Sequence, residues 1–165
     1  MKMLLIVYRV LTFILLPIVA ILGFIDISLL LMALANPAAL LPAFAIACIV
    51  IYLFTSLNFL NKGITAGKPC KLSLRDWIRV NAFVSIAFST LGIIEYITVL
   101  NNKAVRDEMV KQAMAQQGVA TAISSGQMEQ ILLSFLFIFL IFSLALIVHI
   151  VMTFRLLKEY GYLFK

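Results

Sequence analysis

Long apolar stretches alternate with short polar ones along this chain. A helix that crosses a bilayer needs about 20 mostly apolar residues to cover about 30 Å of hydrocarbon. Four stretches meet that requirement: residues 4–34, 40–60, 77–100 and 130–154. The fourth contains no Asp, Glu, Lys or Arg, and neither does the run from residue 27 to residue 61. We therefore predict an all-α integral membrane protein with four transmembrane helices in an up-down bundle.

The connections between these stretches carry turn and capping signals. Asn36-Pro37 interrupts an apolar run and predicts a tight hairpin between the first two helices. Residues 103–117, within the loop of residues 101–129, have helix-compatible spacing and predict a short helical cap outside the membrane. At residues 73–76 and 124–127, a Ser is followed three positions later by Asp or Gln, which is the spacing of a capping box.

Composition narrows the class of protein. The chain is 64% hydrophobic and 12% charged, whereas soluble domains have about 45–50% apolar and about 25% charged residues. A water-soluble domain is therefore excluded, and 165 residues predict a single domain, residues 1–165. A cleavable signal peptide is the alternative for the first stretch. Signal peptides have an apolar core of roughly 7–15 residues. The apolar core of the first stretch is longer and is interrupted by Asp26, so we expect this stretch to remain in the protein as a helix.

The 13 basic residues are divided unevenly between the two sides of the predicted membrane domain. Ten lie on the side that holds both termini and the loop of residues 61–76: Lys2, Arg9, Lys62, Lys68, Lys71, Arg75, Arg79, Arg155, Lys158 and Lys165. Three lie on the other side: Lys103, Arg106 and Lys111. Cytoplasmic segments collect Lys and Arg, so we predict a multi-pass protein of the plasma (inner) membrane with cytoplasmic N- and C-termini. This topology accounts for the net charge of +6, and we expect membrane lipids, with no nucleic acid, as partners.

Polar residues inside the spans predict either helix packing or a substrate path. In the third span, Asn81, Ser85 and Ser89 recur at helical spacing along one stripe. Tyr52 and Ser56 belong to a similar stripe in the second span. Lipid offers no hydrogen-bond partners, so these stripes should face other helices, and we favour packing over a path.

Ionisable residues within the spans suggest an alternative function. The first and third helices run in the same direction, which places Asp26 and Glu95 near the same, outer boundary. Together they could share a proton or bind a cation in a small transporter or channel, although Lys103 and Arg106 could pair with them instead. His149 has no second His and no Glu at ligand spacing, so we expect a hydrogen-bonded packing residue rather than a metal ligand.

Enzyme chemistry has weak support in the sequence. Cys48 and Cys70 do not form a C-x-x-C pair, and neither H-E-x-x-H nor G-x-S-x-G occurs. A lipid-modifying enzyme using His149, Arg79 and Arg155 is the weakest hypothesis. We predict a non-enzymatic protein without cofactor or metal. It would act as an accessory, assembly or regulatory subunit of a larger membrane complex, or as a homo-oligomer.

Overall fold

The computed structural model describes residues 2–117 and 124–165 of the chain. Five α-helices occupy these residues: α1 Lys2–Ala35, α2 Leu40–Asn58, α3 Leu72–Asn101, α4 Lys103–Gln117 and α5 Ser125–Glu159. Three short helical turns lie between or after them: the 3-10 turns Pro37–Ala39 and Gly161–Leu163 and the π-helical turn Phe59–Thr65. No strand occurs in these two ranges, so the all-α prediction is confirmed.

Four helical segments of the described chain are long and apolar enough to cross a membrane. They are Met3–Ala35, Pro37–Thr65, Leu72–Asn101 and Ser125–Glu159. The helix predicted at residues 103–117 is also present, as α4. Residues 118–123, in the middle of the predicted outer loop, lie outside the described part of the chain.

The second span is longer than its sequence pattern indicates. The π-helical turn continues α2 to Thr65, and the backbone N–H of Ala66 donates to the carbonyl of Asn61 at 3.1 Å, a bond across five residues. The first residues of the loop predicted at residues 61–76 are thus helical. The spacing of polar and apolar residues there does not distinguish a π-helix from a polar connector.

Two of the three predicted turn and capping signals operate. The side chain of Asn36 accepts a hydrogen bond from the Ala38 N–H at 3.1 Å, which fixes the turn between α1 and α2. Ser124 and Gln127 form the reciprocal bonds of a capping box, with N···O distances of 3.0 and 3.3 Å. The capping box predicted at residues 73–76 is wrong, because α3 begins at Leu72 and Ser73 lies inside the first turn.

Backbone contacts divide the chain into two compact units, which are described separately. Unit one comprises Met1–Phe88 and Ala145–Lys165, and unit two comprises Ser89–Leu144. In unit one, α1 and α2 form a hairpin together with the first part of α3 and the last part of α5. Large apolar side chains from all four helices are almost fully buried there: Leu15, Val19, Leu53, Ile78, Leu146, Ile150 and Leu156.

Unit two is held by close packing and by an ion pair. Gly92 of α3 lies so close to Phe139 of α5 that a Cβ at Gly92 would overlap the Phe139 ring. Arg106 of α4 pairs with Glu129 of α5, with its Nε 2.8 Å from Oε1. A guanidinium N–H of Arg106 also donates to the Val99 carbonyl of α3 at 3.2 Å. The Arg106 side chain thus connects all three helical segments of this unit.

Large apolar side chains cover the outside of the helices. Phe13, Phe24, Phe83 and Phe135 are each more than 60% exposed. Water would solvate such a surface poorly, whereas hydrocarbon solvates it well. The same helices satisfy their backbone hydrogen bonds internally, as hydrocarbon requires. The exposed surface therefore identifies a membrane protein.

The last residues of unit one form a clip over the connection between α2 and α3. The Cys70 N–H donates to the Leu163 carbonyl at 2.8 Å, and the Lys165 N–H donates to the Cys70 carbonyl at 3.1 Å. The Phe164 ring stacks on Phe59 with 5.3 Å between the ring centroids. We call residues 160–165 the Phe164 clip. It orders a segment that the sequence presents only as a polar connector.

Candidate functional site

Six polar side chains meet in the core of unit one, in the half of the helices nearest the Phe164 clip. All six are 0% exposed. They come from three helices and form what we call the His149 cluster: Tyr8 and Thr12 of α1, Tyr52 and Ser56 of α2, and His149 and Thr153 of α5.

The imidazole of His149 is the centre of this cluster. Its Nε2 lies 2.9 Å from Oγ1 of Thr12, and its Nδ1 lies 2.7 Å from the hydroxyl of Tyr52. The Tyr8 ring stacks on the imidazole with 4.6 Å between centroids and 17° between planes. The Tyr52 ring meets it edge-on at 5.7 Å. Both ring nitrogens and one ring face are therefore occupied by protein groups.

Hydroxyl groups extend the network around the ring. The Tyr52 hydroxyl lies 2.7 Å from Oγ1 of Thr153, which in turn donates to the His149 carbonyl at 2.8 Å. The Tyr8 hydroxyl is hydrogen-bonded to Oγ of Ser56. Because these bonds join α1 to α2, α1 to α5 and α2 to α5, each pair among the three helices is connected by at least one buried hydrogen bond.

The helix period explains why the side chains converge. Each of the three helices contributes two polar residues four positions apart, which places both on the same face, one turn from each other. The pairs are Tyr8 with Thr12, Tyr52 with Ser56, and His149 with Thr153. When the three faces meet in the interior, the pairs lie at one level of unit one.

The cluster is a closed network in which buried polar side chains hydrogen-bond one another. The Thr12 hydroxyl donates to the Tyr8 carbonyl at 2.8 Å, so it accepts from Nε2–H of His149, and the Tyr52 hydroxyl donates to Nδ1. Within the described residues, no group of three or more His, Cys, Asp or Glu side chains is arranged to hold a metal ion. The cluster is sealed from outside and its polar groups bond one another, which suits holding helices in register better than acting on a substrate.

The other sequence-predicted residues are not brought to His149. Asn81 donates to the Trp77 carbonyl at 2.8 Å and Ser85 donates to the Asn81 carbonyl at 2.7 Å, so both bond within α3. Ser89 is buried in unit two. Of the candidates named from sequence, Tyr52 and His149 share a hydrogen bond between the side chains of two different helices.

The two candidate carboxylates differ in environment. Asp26, in unit one, is 7% exposed, and its Oδ1 is buried without a hydrogen-bond partner among the described residues. Glu95, in unit two, is exposed. Arg106, which could have neutralised either acid, pairs with Glu129. Asp26 is therefore the carboxylate whose environment is unusual.

Sequence reasoning missed three members of the cluster, namely Tyr8, Thr12 and Thr153. Each stands four residues from another member in its own helix. The repeated four-residue spacing of Tyr, Thr, Ser and His in three spans is the signal that could have found them. It is visible only when the spans are compared with one another, since each pair alone is an ordinary feature of a helix.

Comparison with known proteins identifies one family. The family model described as cell fusion glycoprotein K matches residues 26–160, most of the chain and four of the six cluster residues. No curated protein and no solved structure matches the chain. Although the family description contains the word glycoprotein, the sequence contains no Asn-X-Ser or Asn-X-Thr acceptor for N-linked sugar.

Proposed function

This chain belongs to the cell fusion glycoprotein K family, and from that premise we propose that it acts without enzymatic chemistry of its own. Its role is that of an accessory, assembly or regulatory subunit of a larger membrane complex, or of a homo-oligomer. The compartment that we propose is the plasma (inner) membrane, with both termini on the cytoplasmic side because ten of 13 basic residues lie there.

The closed His149 cluster is the observation that carries this proposal. Its members are the largest group of buried polar side chains that bond one another in the described chain, and they bond across helices. A catalytic site needs a group that can reach a substrate. Both nitrogens of His149 already have protein partners, and the ring is 0% exposed. The polar chemistry therefore supports a stable helical scaffold whose outer faces are free for association.

Purification in a mild detergent tests the proposal. We expect the chain to migrate with further copies of itself or with another membrane protein, at a protein mass well above the 18.4 kDa of a single chain. Light scattering after size exclusion gives the mass, and mass spectrometry identifies the components. A solitary chain of 18.4 kDa that persists after crosslinking in intact membranes contradicts the proposal.

The family description supports membrane fusion as the process that this subunit serves. Content mixing between cells that do or do not produce the chain measures that role. We expect the extent of content mixing to differ between cells that produce the chain and cells that do not. Equal mixing contradicts the fusion role, whereas the co-purification experiment tests the accessory role independently.

A small transporter or channel is the second candidate, and the environment of Asp26 favours it. A buried carboxylate oxygen that has no hydrogen-bond partner among the described residues is costly within a membrane span and is a candidate for binding a proton or a cation. The test is cation flux into liposomes containing the chain or its Asp26→Asn variant. Cation flux that requires Asp26 supports the transport hypothesis, and equal flux by the two proteins contradicts that hypothesis. Glu95→Gln tests the second carboxylate in the same assay.

A further inference from the structure

A cleft of about 310 Å³ opens in unit one where α2 ends and α3 begins. Its lining includes Asn58, Lys62, Lys71, Ser73, Leu74 and Trp77. The cleft lies outside the His149 cluster and shares no residue with it. Its walls combine two ammonium groups, an amide, a hydroxyl, the buried Cys70 and two apolar side chains.

The charges of this cleft favour an anion. Lys62 and Lys71 both line it and are exposed, and no Asp or Glu is among its lining residues. Asp76 stands between the lining residues Leu74 and Trp77 in sequence, but its carboxylate is 3.7 Å from Arg75 and its side chain is 62% exposed. The first turn of α3 adds the partial positive charge of its backbone N–H groups.

The apolar wall of the cleft favours an amphiphilic anion. Trp77 is 56% exposed, and Leu74 is half-buried beside it. Trp is enriched at the level of lipid headgroups, because its ring is apolar and its N–H is polar. A ligand that has a phosphate at one end and an acyl chain at the other matches both walls, whereas free phosphate would use only the polar one.

The Phe164 clip holds one wall of the cleft in place. Both backbone hydrogen bonds of Cys70 go to this clip, and Cys70 immediately precedes Lys71. A site whose walls are held before the ligand arrives loses less conformational freedom on binding.

We propose that this cleft binds the phosphate group of an anionic membrane lipid. Lys62 and Lys71 balance the charge of the phosphate, and the side chains of Asn58 and Ser73 donate hydrogen bonds to its oxygens. Trp77 and Leu74 pack against the glycerol and the upper acyl chain. This assignment is independent of the accessory role proposed above.

Trp77 allows a direct test, because it is the single tryptophan of the chain. The full chain is reconstituted in phosphatidylcholine bilayers, and brominated phosphatidylglycerol or brominated phosphatidylcholine is added to quench Trp77 fluorescence. We expect phosphatidylglycerol to be preferred by about thirty-fold, because each of the two lysines contributes about five-fold at a membrane surface. In the K62Q/K71Q variant, the preference should fall to about one.

Lys68→Gln is the matched control, because Lys68 lies in the same connection, is exposed and does not line the cleft. The Lys68→Gln variant should keep the preference for phosphatidylglycerol. An equal loss in Lys68→Gln, or an unchanged preference in K62Q/K71Q, overturns the proposal in favour of diffuse surface attraction. Inorganic phosphate is added in a further arm, against chloride at equal ionic strength. Loss of the preference with phosphate but not with chloride overturns the assignment to a lipid in favour of free phosphate.

Discussion

At the scale of single residues, the His149 cluster shows how a membrane protein satisfies polar side chains. Hydrocarbon offers no hydrogen-bond partner, and the hydroxyls of this cluster are satisfied by protein groups. Tyr52 illustrates this need, since its hydroxyl meets both Nδ1 of His149 and Oγ1 of Thr153 at 2.7 Å. Removing this hydroxyl leaves Nδ1 of His149 without its partner and takes one of its partners from Thr153, which still donates to the His149 carbonyl.

Replacing Tyr52 with Phe should destabilise the chain by about 1–2 kcal/mol, because the ring is retained while two buried hydrogen bonds are lost. The measurement is the free energy of unfolding in a detergent titration. Tyr162→Phe is the matched control, since Tyr162 is 69% exposed, and it should change stability by less than about 0.5 kcal/mol. Equal effects of the two variants would show that the Tyr52 hydroxyl contributes no stability.

Gly92 is a position where the absence of a side chain matters. A Cβ there would overlap the Phe139 ring, so Gly92→Ala should destabilise unit two by about 1–3 kcal/mol. Gly126→Ala is the control, because a Cβ at Gly126 meets nothing within 4 Å. Thermal unfolding in detergent checks both variants. Adding Phe139→Leu to Gly92→Ala should restore part of the loss, and a fully neutral Gly92→Ala would contradict the close packing.

At the scale of elements, the connections are more ordered than their composition indicates. The π-helical turn, the Phe164 clip and the pairing of Cys70 with the clip convert a polar connector into a packed end of unit one. Phe59 and Phe164 are both buried in this packing. Order at this end depends on contacts between segments that are about a hundred positions apart in the sequence.

The Phe164 clip should protect the thiol of Cys70, which is 2% exposed. In a Cys48→Ala background, Phe164→Ala should increase the rate of Cys70 labelling by a maleimide about ten-fold, because opening of the clip exposes the thiol. The rate is measured by mass spectrometry in detergent. Tyr162→Ala removes an exposed ring from the same clip and should leave the rate unchanged. An unaltered rate in Phe164→Ala contradicts the protective role.

At the scale of the whole molecule, the orientation that we propose rests on the distribution of charge. Basic residues are concentrated at the end of unit one that contains the Phe164 clip and the connection between α2 and α3. Positively charged segments are retained on the cytoplasmic side when a membrane protein inserts. That asymmetry is the basis of the orientation proposed above.

Single cysteines at positions 68 and 111, in a Cys48→Ala, Cys70→Ala background, test the orientation. Both native residues, Lys68 and Lys111, are exposed. A membrane-impermeant maleimide should label position 111 in intact cells and position 68 only after permeabilisation. Labelling of both positions in the same compartment would contradict the proposed topology.

The four spans, the turn at Asn36 and the helix at residues 103–117 could be predicted because each depends on local composition. An apolar run of sufficient length must form a helix in hydrocarbon, whatever its neighbours are. The reciprocal bonds of Ser124 and Gln127 are equally local, since both residues lie within one turn. The wrong capping box at residues 73–76 shows the limit of this reasoning, because a start at Leu72 shifts the whole motif by one or two positions.

The sequence by itself determined that hydrocarbon surrounds much of this protein and how many long apolar helices it has. It also determined which of its segments carry most of the positive charge. Only the tertiary structure decided that His149 meets Tyr52 and Thr12, that Asp26 is buried while Glu95 is exposed, and that Phe164 closes over Cys70. Hydropathy and charge act on each segment alone and can be read along the chain. Hydrogen bonding and packing depend on the relative rotation and register of helices, which no single segment specifies.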